Sequence, residues 1–506
     1  MLGEALIKSY QSWYRGGGFK LYSYIKKANK EFKLFQDIFK EFDQINSNII
    51  KAIANNKQLF LKEFPKIKNL LNIHKDYTPI IDNIFHNFDY VTKNFNLIEE
   101  WLLSNDFNEK YKKENHPYPS LLDPKKLNDE KEEINYKAIP AQLAWEMNLP
   151  LPDNYEFVLI SGHANAAGPF MSCLYICNVN IVWAGLVQGV QRYIFYFNFL
   201  ISNINRYNVL HWGEIIKNFP DNYKLAALIA KDCYYLIFFR DPISVFASCF
   251  GYDLYKVKND CVVLPITDNF NLGGYIFNKK NIFSTNIDCI FNNVLPNCFC
   301  QKDILDYFLR KLKTIIIDSD TTSKLNAFST ITKLSKILNF DSPRLEDRFF
   351  FESKLSPFSS PIWQRLPLRI QFKEFNIEIE FGSGWTNTKE LSSNIFKKVF
   401  YLDGIVFNIS IINKINQDLN QSEISYMENL FNNFLEDMEL KIKNIKKDKI
   451  MEEDVLNLLR INLNYRNRLN NIIKNNLSYI RQHHPDIVAS WKYYQEFEKM
   501  CEELDS

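Results

Sequence analysis

Three short runs of unbroken apolar residues constrain this chain most: Phe157-Val158-Leu159-Ile160, Tyr234-Tyr235-Leu236-Ile237-Phe238-Phe239 and Thr314-Ile315-Ile316-Ile317. A strand with one face in water alternates in polarity, whereas a strand covered on both faces reads as a continuous apolar run. Each run stops abruptly, at Ser161-Gly162, Arg240-Asp241-Pro242 and Asp318-Ser319-Asp320, and helix-compatible sequence lies between them. The pattern predicts an α/β core, a parallel sheet with helices on both faces, over residues 136–345.

The flanks read differently. Residues 1–135 carry apolar residues at helical spacing, as in Phe32, Phe35, Ile38, Phe39 and Phe42, and end in a polar, proline-containing stretch, 111–135, expected to be a linker. The first forty residues are basic with aromatics interleaved. They are expected to pack onto the rest of the chain, an anionic membrane surface being the alternative. Over 346–412 the period changes to two. Ile370 and Phe372 alternate on one parity and Phe375, Ile377, Ile379 and Phe381 on the other, which predicts an antiparallel β segment with a turn near Glu374. Residues 413–506 are expected to be helical.

Composition narrows the function classes. With 46% hydrophobic residues, disorder is excluded, and 61 Lys and Arg against 59 Asp and Glu leave no bulk electrostatic reason to bind nucleic acid. An anion site must therefore be local. The nine cysteines form no CxxC, and several lie in apolar runs, so reduced, packed thiols are expected rather than a disulfide framework. Met1-Leu2-Gly3-Glu4 has no apolar signal core, and the longest apolar stretch, 181–201, is broken by Gln188, Gln191, Arg192 and Asn198. A cytoplasmic protein is expected, with peripheral contact to the inner membrane or to capsule-assembly machinery as an option.

Chemistry concentrates at two strand ends. Arg240 leaves a buried strand at the carboxyl edge of the sheet, where open α/β folds bind ligands, and Pro242 suits the first turn of a following helix. Ser248 then lies two turns along that helix, so Arg240 and Ser248 form a candidate phosphate site; the alternative is an Arg240 ion pair with a helix carboxylate. After the first strand, Gly162, Asn165, Ala166, Ala167 and Gly168 make a small-residue loop whose amides can approach an anion ahead of a helix expected from Phe170. It is not a Walker loop, because the GKS/T signature is missing. His163 is the titratable side chain of that loop, a candidate general base or else a loop-ordering residue. His211, between the expected core elements and three residues before Glu214, is a second candidate base, or a hydrogen-bonded histidine beside Trp212. Asp318 and Asp320 end the third strand, and Arg365 could reach a ligand from the β segment.

Strand, small-residue loop and helix, followed by a strand ending in Arg240-Asp241-Pro242 with Ser248 eight positions after the arginine, resembles the sulfotransferase fold over about 155–345. The resemblance implies that the loop holds the 5′-phosphate side of a 3′-phosphorylated nucleotide donor and that Arg240 and Ser248 hold its 3′-phosphate. Sulfotransferase loops usually carry a basic residue where Ala166 stands, so Asn165, His163 or an arginine from elsewhere, Arg192 or Arg365, would have to replace it. The Leu2-Gly3-Glu4-Ala5-Leu6-Ile7-Lys8 opening, Trp13-Tyr14-Arg15-Gly16-Gly17, Ile139-Pro140-Ala141 and the two strand-end motifs are similar to a campylobacter family of sugar transferases of surface-glycan loci. That family includes the capsule O-methyl phosphoramidate transferases. The likeness implies a 3′-phosphorylated cytidine diphosphate-type donor as co-substrate, a capsular or surface-glycan acceptor, and no cofactor or metal.

The expectation is therefore a transferase moving a small phosphoryl-type group to a sugar hydroxyl. A nucleotide-sugar-dependent glycosyltransferase is the alternative, for which Asp318-Ser319-Asp320 has Asp-x-Asp spacing. A glycan- or partner-binding protein with a decayed site is a third reading.

Overall fold

The computed structural model describes residues 2–15, 17–42, 46–185, 187–213, 219, 221–250, 262–263, 287–299, 313–323, 325–352, 368–372, 375–382, 400–402, 405–411, 420–447 and 449–505. The chain is a mixed α/β protein, mostly helical, and divides into two units: Met1–Asp153 with Ala227–Ala230, and Asn154–Ala226 with Lys231–Ser506.

The N-terminal unit is helical, as its spacing predicts. Helix α1 (Leu2–Gln11) and helix α2 (Gly17–Glu41) form a hairpin on either side of the glycine break. The far half of α2 enters the unit's core. Phe35 lies 6.0 Å from Phe60 and Phe42 5.7 Å from Phe85, ring centre to ring centre. Phe60 is fully buried and also stacks on Phe64 at 5.4 Å and on Phe88 at 4.8 Å.

Residues 111–135, expected to be a linker, are part of this unit. Tyr111, Leu121, Leu122 and Leu127 are buried there. The polar backbone is satisfied by side chains: Trp101 Nε1 donates to the Ser120 carbonyl at 2.9 Å, Asn83 Nδ2 to Pro119 at 2.9 Å, and the Tyr77 hydroxyl to His116 at 2.6 Å. Irregular chain can be buried when its carbonyls find donors, and no sequence period reports that. Residues 136–153, expected to open the α/β core, also belong to this unit. Leu121 N–H donates to Met147 O at 3.2 Å and Asn87 Nδ2 to Glu146 O at 3.1 Å, so the boundary lies at 153.

In the second unit the three apolar runs are strands of one parallel sheet, joined by two more. The strands in chain order are β1 (Phe157–Ser161), β2 (Asn180–Trp183), β3 (Asn208–Gly213), β4 (Tyr234–Phe239), β5 (Val262–Val263), β6 (Lys313–Asp318), β7 (Leu368–Phe372), β8 (Phe375–Gly382), β9 (Phe400–Leu402) and β10 (Ile405–Ile411). The parallel sheet has the order β2-β3-β1-β4-β6. Phe157, Leu159, Val209, Leu236, Phe238 and Ile317 pack on one face with the helices Ala167–Ile176 and Ala327–Leu338. Residues of the other parity, Val158, Ile160, Leu210, Trp212, Tyr235 and Ile237, are buried as well. Both faces are covered, which is why the runs do not alternate.

A second sheet has the order β5-β7-β8-β10-β9. Its β7–β8 and β8–β10 pairs are antiparallel, as the period of two predicts. The expected turn at Glu374 lies outside the described residues, between the paired Phe372 and Phe375. From Gln421 the described chain is helical, beginning with Gln421–Lys447 and ending with Lys492–Asp505.

The aromatic cluster of the N-terminal unit generates a direct expectation. Phe60→Ala should destabilise the protein by about 3–5 kcal/mol in urea unfolding, the cost of a phenylalanine-sized cavity in a core that cannot collapse around it.

Candidate functional site

In the parallel sheet β1 is central. The chain adds β2 and β3 on one side of it and then crosses to add β4 and β6 on the other. Open parallel sheets leave a ligand crevice beyond the carboxyl ends of the strands where the direction of winding reverses. The residues there are Ser161 and the loop after it, Arg240 and Asp241 after β4, Gly213 at the end of β3, and Asp318 at the end of β6.

Arg240 and Ser248 come together as their spacing predicts. Asp241 caps the helix Pro242–Cys249, accepting the Ile243 N–H at 2.8 Å, and Pro242 occupies the first turn, where no N–H partner is needed. This places the Ser248 hydroxyl 2.8 Å from Arg240 Nη1, and the same nitrogen donates to Ala164 O at 2.9 Å. Arg240 and Ser248 are both half-buried. One guanidinium thus joins the end of β4, the following helix and the loop after β1.

That loop is held in an unusual backbone. Ala164 has φ +61° and Ala166 φ +60°, left-handed conformations that cost an alanine about 1–2 kcal/mol each. Left-handed residues in such a turn aim successive amides into one concavity, the geometry of an anion-binding nest. The strain is sustained by fixed contacts. His163 N–H donates to Asn297 O at 3.1 Å, and buried Asn165 donates through Nδ2 to Cys298 O at 2.9 Å. Gly162 must be glycine here, because a Cβ would stand 2.1 Å from the Cys298 carbonyl oxygen. Asn165 therefore braces the loop with one of its two amide N–H groups. The helix begins at Ala167, three residues before the expected Phe170, with Ala166 in the cap position and Pro169 still in the first turn. Ala167 and half-buried Gly168 are its first two residues.

The candidate bases differ sharply. His163 is half-buried, and burial holds its pKa down at about 4. His211 is not between core elements but on β3, paired with Leu159 of β1 and Trp183 of β2. It is 3% exposed, with its pKa lowered to about 3 by burial and by the nearby Arg192 charge. His211 Nε2 lies 2.9 Å from Ser161 Oγ, and Nδ1 has no hydrogen-bond partner among the described residues. Its expected companion Glu214 lies outside the described residues, as does Arg365. Arg192, expected to be able to replace a loop cation, is spent elsewhere. Its Nε, Nη1 and Nη2 donate to the carbonyls of Val187, Gly213 and Gly185 at 2.7, 2.8 and 2.8 Å.

Asp318 is buried, and its Oδ1 accepts from Asp320 N–H at 3.4 Å and from Trp491 Nε1 at 3.5 Å. Burial, reinforced by the Asp320 charge, raises its pKa, while Asp320 itself is exposed. Among the described residues no three His, Cys, Asp or Glu side chains cluster as metal ligands.

Asp241, which no motif singled out, ties this strand end to a second helix. Besides capping its own helix, its Oδ2 accepts the Tyr493 and Tyr494 N–H groups at 3.0 and 3.1 Å, the first turn of Lys492–Asp505. Burial raises its pKa against the pull of these backbone donors. The cap was readable from Asp before Pro at a helix start; the second helix was not.

Residues 316–504 match a family model described as "Protein of unknown function (DUF2972)". No curated protein and no solved structure matches the chain. The matched stretch begins inside β6 and runs into the last helix. It takes in Asp318, Trp491 and the helix start that Asp241 caps, and it leaves out the 162–168 loop and Arg240.

Two expectations follow from this geometry. Asp241→Ala strips the acceptor from three backbone donors at two helix starts. It should cost at least about 3 kcal/mol in denaturant unfolding, whereas Arg240→Ala leaves the circular dichroism spectrum unchanged. His211 is neutral in both states above its unfolded pKa of 6.5 and resists protonation down to about 3, so its contribution is lost as pH falls below 6.5. At pH 5.5 the penalty is about 1.4 kcal/mol. The melting temperature of His211→Gln should therefore fall less than that of the native chain between pH 7.5 and 5.5.

Proposed function

We propose that the chain is a group transferase with a sulfotransferase-like core. It would move a small phosphoryl-type group, O-methyl phosphoramidate by the resemblance of its motifs, from a 3′-phosphorylated cytidine diphosphate-type donor to a sugar hydroxyl of a surface polysaccharide. The observation that carries the reading is the junction of Arg240 Nη1 with Ser248 Oγ at 2.8 Å and Ala164 O at 2.9 Å. A phosphate placed against Arg240 and Ser248 would meet a fork of donors and a hydroxyl already held in place, which is how a charge-assisted site gains strength without reorganising. The central β1, the loop after it and the arginine at the end of β4 support the fold reading.

In this reading the amides of 166–168, at the positive end of the Ala167–Ile176 helix, hold the donor diphosphate. The acceptor hydroxyl attacks the donor's terminal phosphorus in line. The new O–P bond forms as the bond to the nucleotide breaks, and the nucleotide leaves with the electron pair. His163 takes the hydroxyl proton. With a pKa of about 4 it is neutral at pH 7 and would act as a weak base. His211 is sealed in the sheet and supports the end of β1 through Ser161 instead of reaching an acceptor.

Calorimetric titration with cytidine and adenosine 3′,5′-bisphosphates, beside their 5′-monophosphates, tests the reading. Binding should require the 3′-phosphate, favour cytidine, and weaken about 10- to 100-fold in Arg240→Ala, the worth of a charge-assisted hydrogen-bond pair. A preference for adenosine would redirect the reading to sulfate transfer. Binding indifferent to the 3′-phosphate would overturn it in favour of nucleotide-sugar glycosyl transfer, with Asp318 and Asp320 the residues to replace next.

A further inference from the structure

The α1–α2 hairpin buries the wrong residues for a segment that packs its aromatics inward. Its near half encloses small side chains, Ala5, Ser9 and Ala28, each no more than 7% exposed. Its large rings stand outside: Tyr10 is 82% exposed, Trp13 59%, Tyr14 102%, Phe19 97%, Tyr22 77% and Phe32 53%. Elsewhere, Phe195 and Tyr223 are 44% and 54% exposed. Leu6 and Ile7 of α1 add 51% and 58% exposed aliphatic surface to the same hairpin.

The arrangement is amphipathic. At 100° per residue, Phe19, Tyr22, Lys26, Lys30 and Lys33 fall on one face of α2, opposite Ala28, Phe35 and Phe42. All five are exposed, and the opposite three are buried. Charge follows the same face. Residues 1–40 contain eight Lys and Arg against three Asp and Glu, in a chain whose net charge is only +2. No helix of the described residues is long and apolar enough to cross a membrane.

We propose that this hairpin docks the protein on an anionic lipid bilayer, lying in the headgroup layer with its rings inserted and its lysines on lipid phosphates. Tryptophan and tyrosine favour that boundary because each ring is apolar with one polar edge, and lysine stems run along apolar surface while the ammonium stays wet. A second copy of the chain is the poorer occupant. Two such faces would oppose like charges across an apolar contact, whereas anionic headgroups complement them. The inference stands independently of the nucleotide site.

Co-sedimentation of the full chain with vesicles tests it, using phosphatidylcholine alone and phosphatidylcholine mixed with phosphatidylglycerol. The chain should bind the mixed vesicles at least about tenfold more tightly, and added salt should weaken that binding. Two variants report separately. Trp13→Ser with Tyr14→Ser and Phe19→Ser removes the inserted rings, and Lys26→Gln with Lys30→Gln removes two charges, each worth about fivefold. Loss of binding in both, with unchanged circular dichroism, is the expected result. Absence of binding to mixed vesicles would overturn the proposal, as would equal binding by the native chain and the lysine variant. A concentration-dependent dimer abolished by the ring substitutions, without vesicle binding, would assign the face to self-association instead.

Discussion

The second unit turns on two consecutive residues at the end of β4. Arg240 and Asp241 leave the same strand edge and serve opposite partners. The guanidinium holds the Ala164 carbonyl and the Ser248 hydroxyl, and the carboxylate accepts N–H groups from the starts of two helices. A buried carboxylate is costly unless backbone donors surround it, and here three do so within 3.1 Å. Asp241 thereby fixes the helix that carries Ser248 and, with it, the distance between Ser248 and Arg240. The candidate site is a consequence of helix capping before it is anything chemical.

The loop after β1 shows the complementary side of this economy. Two alanines in left-handed backbone would relax if the loop were free. They are held by the carbonyls of Asn297 and Cys298 on one flank and by Arg240 on another. Gly162 lets the loop approach this flank closely, since a Cβ there would stand 2.1 Å from the Cys298 carbonyl oxygen. Such strain persists only where surrounding contacts over-determine the backbone, as these do.

What was legible in the sequence follows from which signals are local. Strands β1, β4 and β6 announced themselves as unbroken apolar runs because both of their faces are covered. Strands β2 and β3 did not. Each opens on an asparagine, Asn180 and Asn208, which bond to one another across the two strands at 2.7 Å, and the apolar runs that follow are short, that of β3 broken by His211. The Arg240–Ser248 pair was readable because eight residues of capped helix fix its geometry. The carbonyls that Asn165 and Arg192 hold were not legible, because no spacing rule points to them, in the case of Asn165 one that lies 133 residues away. The 111–135 segment looked like a linker for the same reason: its order comes from distant side-chain donors. The N-terminal aromatics were expected to pack inward, and composition could not reveal that α1 and α2 meet through alanine and serine.

The charge pattern around β3 sets the two histidines apart. Arg192 is buried near His211, with its Nε, Nη1 and Nη2 each bonded to a carbonyl. A second positive charge on His211 would face that guanidinium without solvent to share the cost, and burial alone already opposes it. Neutral, His211 can exchange one hydrogen bond with Ser161 at the mouth of β1 and do little else. His163, one residue beyond Gly162 and only half-buried, has its pKa held at about 4 by desolvation. The two histidines therefore differ by environment: His211 is locked in the sheet between β1 and β2 with Arg192 near it, and His163 stands in the loop after β1, its pKa shifted by desolvation.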